Sequence, residues 1–149
     1  MNEVASKRDL PDLVAISAVV DAFYERVRAD DLLGPIFNHA VAEWPAHLEK
    51  LKAFWSSVML TTGQYKGNPV AAHSPHAKLM TQEAFARWLS LWRDTTSELL
   101  EAGPAAAMQN KAVRIAQSLS MAVAFQSGAD GRAGNPTSQL KRASKVGIL

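Results

Sequence analysis

Apolar residues recur at spacings of three and four along four long stretches of this chain, and no run of strict alternation is long enough to make a strand. That pattern predicts an all-α domain. From Pro11 to Val27 the positions Leu13, Ile16, Val20, Phe23, Tyr24 and Val27 form one helical face. Glu43 to Leu60 predicts a second long helix, with Pro45 in its tolerant first turn and Trp44, His47, Leu51, Phe54, Trp55 and Val58 facing inward. Thr81 is placed to cap a third helix, in which Phe85, Trp88, Leu89, Trp92 and Leu99 share a face and which Gly103-Pro104 should stop. A fourth is expected from Ala105 to Phe125, with Ala112, Ile115, Ala116, Leu119 and Val123 inward.

The segments between are as informative. Leu32 to Phe37 is apolar but broken by Gly34-Pro35, which predicts a turn or short 3₁₀ piece. Residues 61–80 carry Gly63, Gly67, Pro69 and Pro75, so they read as loop with one helical turn around Val70–His73. A loop that long is uncommon in a compact domain and tends to be functional. After Ser127 the composition turns to Gly, Ser, Asn, Pro and Lys/Arg. The expected organisation is therefore one globular domain over 1–127 and a basic, disordered tail over 128–149.

At 149 residues, 48% of them apolar, the chain can bury one core. It has no cysteine, which excludes disulfides, thiolate metal sites and cofactor attachment through paired cysteines. The net charge of +2 belongs to the tail: Arg132, Lys141, Arg142 and Lys145 against Asp130 leave residues 127–149 at +3 and the rest at −1. The body thus offers no basic field for nucleic acid. The first residues mix acids with bases and lack the apolar core of a signal peptide, and no stretch approaches the ~18 apolar residues of a membrane span. A cytoplasmic protein without a membrane partner is expected.

Four histidines could carry chemistry: His39, His47, His73 and His76. His73 and His76 are three apart, a spacing that grips metal on a helix, but Pro75 disfavours helical geometry at Ser74. Taken singly, His47, Tyr24 and Trp88 read as ordinary core or rim residues. Together they say more. Three helices each direct one hydrogen-bonding ring inward, and His73 sits on a loop able to reach the far side of the same space. An apolar pocket with a few convergent polar groups and one opposing imidazole suits haem, which needs apolar walls, an axial nitrogen and donors for a gaseous ligand.

Three segments carry a family likeness: Phe23-Tyr24-Glu25-Arg26-Val27-Arg28 with Leu33-Gly34-Pro35-Ile36-Phe37-Asn38, then Trp44 to Ser57, then Tyr65 to His73. With Phe85-Ala86-Arg87-Trp88-Leu89 and Arg114-Ile115-Ala116, they resemble the third group of truncated haemoglobins over roughly residues 11–125. The resemblance implies a shortened globin, a two-over-two helical sandwich around one non-covalent haem b (iron protoporphyrin IX). By position it makes His73 the iron ligand, Tyr24, His47 and Trp88 the residues facing a bound gas, and Phe37, Leu51, Phe54, Trp55, Tyr65 and Phe85 further contacts of the cofactor. Lys78 and Arg87 are the first candidates for its propionates.

The ligands implied are dioxygen, carbon monoxide and nitric oxide. Hydroxyl and indole donors in a dry pocket each stabilise a partly negative ligand by about 1–3 kcal/mol, so release should be slow. Slow release suits redox chemistry (nitric-oxide or peroxide detoxification, fed by an unidentified reductase) or sensing more than bulk transport. Two other readings stand beside it. One is a cofactor-free helical interaction domain whose basic tail binds an acidic partner. The other is a non-haem metal protein using His73 and His76.

Overall fold

The computed structural model describes residues 9–130, with side chains as far as Phe125. Six α-helices follow in order: α1 (Leu13–Ala29), α2 (Leu33–Ala40), α3 (Trp44–Leu60), α4 (Pro69–His73), α5 (Gln82–Leu99) and α6 (Ala102–Asp130). A 3₁₀ turn over Ser74–Leu79 joins α4 to α5, and there is no strand among the described residues.

The helix starts follow from local chemistry. Asp12, Asn68 and Thr81 each accept an otherwise unpaired first-turn amide, from Ala15 at 2.8 Å, Ala71 at 3.2 Å and Ala84 at 3.1 Å. At its far end α3 stops on Thr61, whose φ of 55° is left-handed, a rare state for a β-branched residue. The loop behind it is pinned by side chains: Thr62 Oγ1 lies 3.0 Å from Ser56 Oγ, and Ser57 Oγ accepts the Tyr65 amide at 2.9 Å.

Two helices exceed the sequence expectation for one reason. Gly34 and Pro35 lie in the first turn of α2, and Pro104 in the first turn of α6, where a proline forfeits no intrahelical bond. The 32–37 segment is therefore largely α-helix, and α6 begins at Ala102 rather than Ala105. At its other end α6 continues to Asp130, across the boundary expected at 127/128. The rest of the expected tail lies outside the described residues. Ser74–Leu79, expected as loop, winds into the 3₁₀ turn with Pro75 near its start.

Helix α1 packs against α2, α3 and α5, and α5 against α6. Its inner face, Ile16, Val19, Val20, Phe23 and Val27, is almost wholly removed from solvent. Leu13 and Leu99, expected inward, are exposed because each is the terminal residue of its helix. Polar ties fix the packing. Arg26 donates to Glu98 at 2.7 Å and to Thr95 at 3.0 Å, linking α1 to α5. Asp30, its side chain only 5% exposed, accepts the Leu32 and Leu33 amides and the Arg87 guanidinium. Gly34 lets α2 fold back closely on α1, since a Cβ there would stand 2.8 Å from the Arg28 carbonyl oxygen. No helix among the described residues is long and apolar enough to cross a membrane.

Candidate functional site

Between α2, α5, α6 and the 3₁₀ turn lies a partly open apolar cavity. Its walls are apolar. Helix α2 contributes Leu33, Ile36 and Phe37, α5 contributes Ala84, Phe85 and Trp88, and α6 contributes Ala116 and Leu119, with Leu79 and Met80 closing the side. Among the lining residues only His73 and Trp88 carry a polar side-chain atom.

Helix α4 determines how His73 is presented. Pro69 starts the helix, and four residues later the imidazole Nδ1 lies 2.6 Å from the Pro69 carbonyl oxygen. A carbonyl can only accept, so Nδ1 carries the proton and Nε2 the lone pair. Burial, above all, depresses the pKa of this ring to about 4, and the neighbouring His76 and His47 add to that. The imidazole is neutral at physiological pH. A neutral ring whose Nδ1–H is held by a carbonyl is the arrangement that metal-ligating histidines adopt.

Two further groups lack partners where partners are normally found. The Tyr24 hydroxyl and the Trp88 indole N–H are both buried and unbonded. The indole N–H of Trp88 approaches the Tyr24 hydroxyl and slightly favours its ionised form, but the pair does not meet hydrogen-bond geometry; burial dominates and drives the phenol pKa far upward. Phe37 of the cavity wall lies 5.9 Å from the Tyr24 ring. His47 is buried, its ring 6.4 Å from that of Tyr24.

Trp44 completes this side. Its ring stands 5.6 Å from His47 and 6.0 Å from Tyr24. Its indole N–H donates to Asn38 at 3.1 Å, and the Arg28 guanidinium lies 4.7 Å over its face. Periodicity put Trp44 on the inner face of α3 but gave no hint of this bracket, whose members come from three helices.

The structure thus brings Phe37, His73, Phe85 and Trp88 to one cavity and sets Tyr24 and His47 beside it. It does not bring Leu51, Phe54, Trp55 or Tyr65 to that wall. The apolar face of α3 turns instead onto the core: Leu51 and Trp55 are fully buried, Trp55 stacks on Trp92 at 4.4 Å, and Tyr65 packs edge-on against Phe54. Arg87, a candidate propionate partner, pairs with Asp30 at 2.6 Å. Lys78 is exposed. His76 is half-buried with its Nε2 unbonded, and the described residues hold no cluster of three or more side chains able to bind a metal. The lining residues Leu33, Ile36, Leu79 and Met80 went unpredicted. The first two lie in a segment read as a turn, and the others in a loop without periodicity.

No protein-family model matches the sequence. The chain is 38% identical over 85 residues to a group 3 truncated haemoglobin of Campylobacter jejuni, a stretch covering 54% of this chain and 66% of that protein. The match therefore spans just under two thirds of that relative. The crystal structure of a group III truncated haemoglobin from the same organism superposes with a TM-score of 0.69 at 29% identity, over 76% of this chain and 91% of that one. The helical frame is that of a truncated globin. Within that class the chain is similar to the group III truncated haemoglobins.

Proposed function

We propose that the cavity holds one haem b, that His73 Nε2 would bind its iron, and that the protein binds diatomic gases there. One observation carries the reading: a buried, neutral imidazole, oriented by the Pro69 carbonyl, on the wall of an otherwise apolar cavity. The unbonded Tyr24 hydroxyl and Trp88 indole N–H fit the same occupant, since they supply donors beside a cavity with no acceptor for them. Haem, when bound, supplies the iron that takes up dioxygen, carbon monoxide or nitric oxide.

The chain's own residues do the rest. Leu33, Ile36, Phe37, Phe85, Ala116 and Leu119 would shield the cofactor from water. Tyr24 and Trp88 would donate hydrogen bonds to a partly negative gas and slow its release. His47, packed between Tyr24 and Trp44, controls the approach to that pocket. Slow release points to redox conversion of the gas or of peroxide, with electrons from a separate reductase, rather than to transport.

Absorption spectra of the ferric, ferrous and carbon monoxide forms test this. Wild-type and His76→Ala proteins should carry a Soret band, and His73→Ala should lose haem or hold it weakly. A colourless wild type refutes the cofactor, and loss on His76→Ala instead of His73→Ala reassigns the ligand.

A further inference from the structure

Three indoles form a column running from the cavity wall into the core. Trp88 and Trp92 are nearly parallel, 7° apart with centroids 6.0 Å apart, and Trp92 stacks on Trp55 at 4.4 Å and 20°. Beyond Trp55 the column continues through Phe54, edge-on at 5.7 Å, to Tyr65, edge-on to Phe54 at 5.1 Å. Trp92 and Trp55 are fully buried, whereas Tyr65 is half-buried in the 61–68 loop. Gly67 gives the phenol its seat, because a Cβ there would stand 2.5 Å from the hydroxyl oxygen.

We infer that Trp88, Trp92 and Trp55 conduct oxidising equivalents from the cavity to Tyr65, so that an oxidation begun inside ends as a phenoxyl radical at the protein's edge. The inference rests on the reading of the cavity as a haem site. Indole is among the most readily oxidised of side chains, and stacked rings in van der Waals contact exchange an electron far faster than separated ones.

Proton bookkeeping gives the column its direction. An oxidised indole becomes a trap when it loses its N–H proton. Here the Trp88 and Trp55 N–H groups have no acceptor at all, and that of Trp92 meets only the Met108 carbonyl at 3.2 Å, which is not a base. The indole cation radicals therefore keep their protons and remain strong oxidants. Tyr65 is the first group along the column whose proton can pass to solvent. Tyr24, the other tyrosine of the chain, is closed to this role, since its hydroxyl is buried without an acceptor. Phe54 is not oxidised; it fills the gap between Trp55 and Tyr65 with bonded atoms.

The oxidant named is hydrogen peroxide. Its O–O bond breaks, and with two electrons and two protons it yields two water molecules. One electron travels inward from Tyr65 along the column as the phenol releases its proton to water. The other electron and proton come from a small phenol or enediol reductant in solution. Two Tyr65 radicals on different molecules couple ring to ring, each losing its ring hydrogen as a proton when the phenols re-form.

The test treats haem-loaded protein with one equivalent of hydrogen peroxide and a limiting amount of ascorbate. Freeze-quenched electron paramagnetic resonance locates the radical, and mass spectrometry of the covalent dimer locates the cross-link. Wild type should give a tyrosyl signal and a Tyr65–Tyr65 cross-link. Trp92→Phe, normalised to haem content and peroxide consumed, should cut the cross-link at least tenfold. Tyr65→Phe should abolish it and leave the radical on indole, which keeps the inference testable if Trp92→Phe fails to fold. Cross-linking unchanged in Trp92→Phe, or a wild-type radical confined to Tyr24 or Trp44, overturns the column. The absorption spectrum of the same sample separates the two readings: without a Soret band both fall, and with one but no Tyr65 radical only the column does.

Discussion

Replacing Tyr24 by Phe deletes one oxygen atom and leaves the ring packing in place, so its effects can be worked out separately for the empty and the loaded protein. In the empty protein Tyr24 is 1% exposed and its buried hydroxyl is unbonded. A buried unsatisfied hydroxyl costs about 1–3 kcal/mol, so its removal should stabilise haem-free protein by ~1 kcal/mol or more and raise its melting temperature by about 4 °C. In the gas-bound protein the same hydroxyl is proposed to donate to the ligand. Losing that bond should accelerate dioxygen release about tenfold for each ~1.4 kcal/mol forfeited. Carbon monoxide, less polar when bound, should respond less. The measurements are calorimetry of the haem-free protein and stopped-flow displacement of dioxygen by carbon monoxide. The two shifts favour Phe in one state and Tyr in the other, which a merely structural hydroxyl would not do. If Tyr24 were bonded to Trp88 throughout, the variant would melt lower and release dioxygen at the wild-type rate. Release within twofold of wild type from a variant that still holds haem refutes the reasoning.

Two further substitutions test what positions the site. Asp30→Ala removes the acceptor of the Leu32 and Leu33 amides at the start of α2 and of Arg87; with Arg87 half exposed and its ion pair discounted accordingly, the loss should be about 2 kcal/mol in urea denaturation. Burial tends to raise the Asp30 carboxyl pKa, but Arg87 and the Leu33 and Leu32 amides outweigh it and hold the group below the ordinary 3.8. The stabilisation is therefore full above that value and is lost as pH falls through the lower folded one, so the wild-type advantage should be constant near neutrality and shrink only in strong acid. Gly34→Ala forces a methyl against the Arg28 backbone carbonyl at 2.8 Å and should cost about 1–3 kcal/mol, read from the same denaturation curves. A Gly34→Ala protein as stable as wild type would mean that the bend between α1 and α2 is not rigid.

What could be read from the chain is what depends on neighbours in sequence. The inner face of α1, the Thr81 cap and the turn ending at His73 arise within a few residues of one another, and periodicity and capping chemistry capture them. The orientation of His73 does not follow in the same way, because the Pro69 carbonyl becomes its acceptor only once α4 has formed. Trp55 illustrates the other limit. Its position on the apolar face of α3 is legible, but a face does not announce which element lies opposite, and here that element is Trp92 rather than the cavity. Arg87 and Asp30 meet across 57 residues, and an exposed arginine near a helix start carries no mark of such a partner. Gly34-Pro35 misleads for a simpler reason: the pair breaks a helix interior but is harmless in a first turn.

The unbonded polar groups connect stability with function. Tyr24, Trp88 and Trp55 each bury a donor without an acceptor, and a fold selected for stability alone would have Phe or Leu at such places. Two of these donors adjoin the cavity, where the proposed partly negative ligand would remove the penalty; the third lies in the indole column, where an acceptor would trap the charge the column is proposed to carry. Each unbonded donor therefore destabilises the empty protein by roughly the amount it can return to an occupant. It follows that stability and gas affinity should move in opposite directions across substitutions at Tyr24 and Trp88. At Trp55, which does not line the cavity, an apolar replacement should alter stability and radical transfer while leaving gas release unchanged.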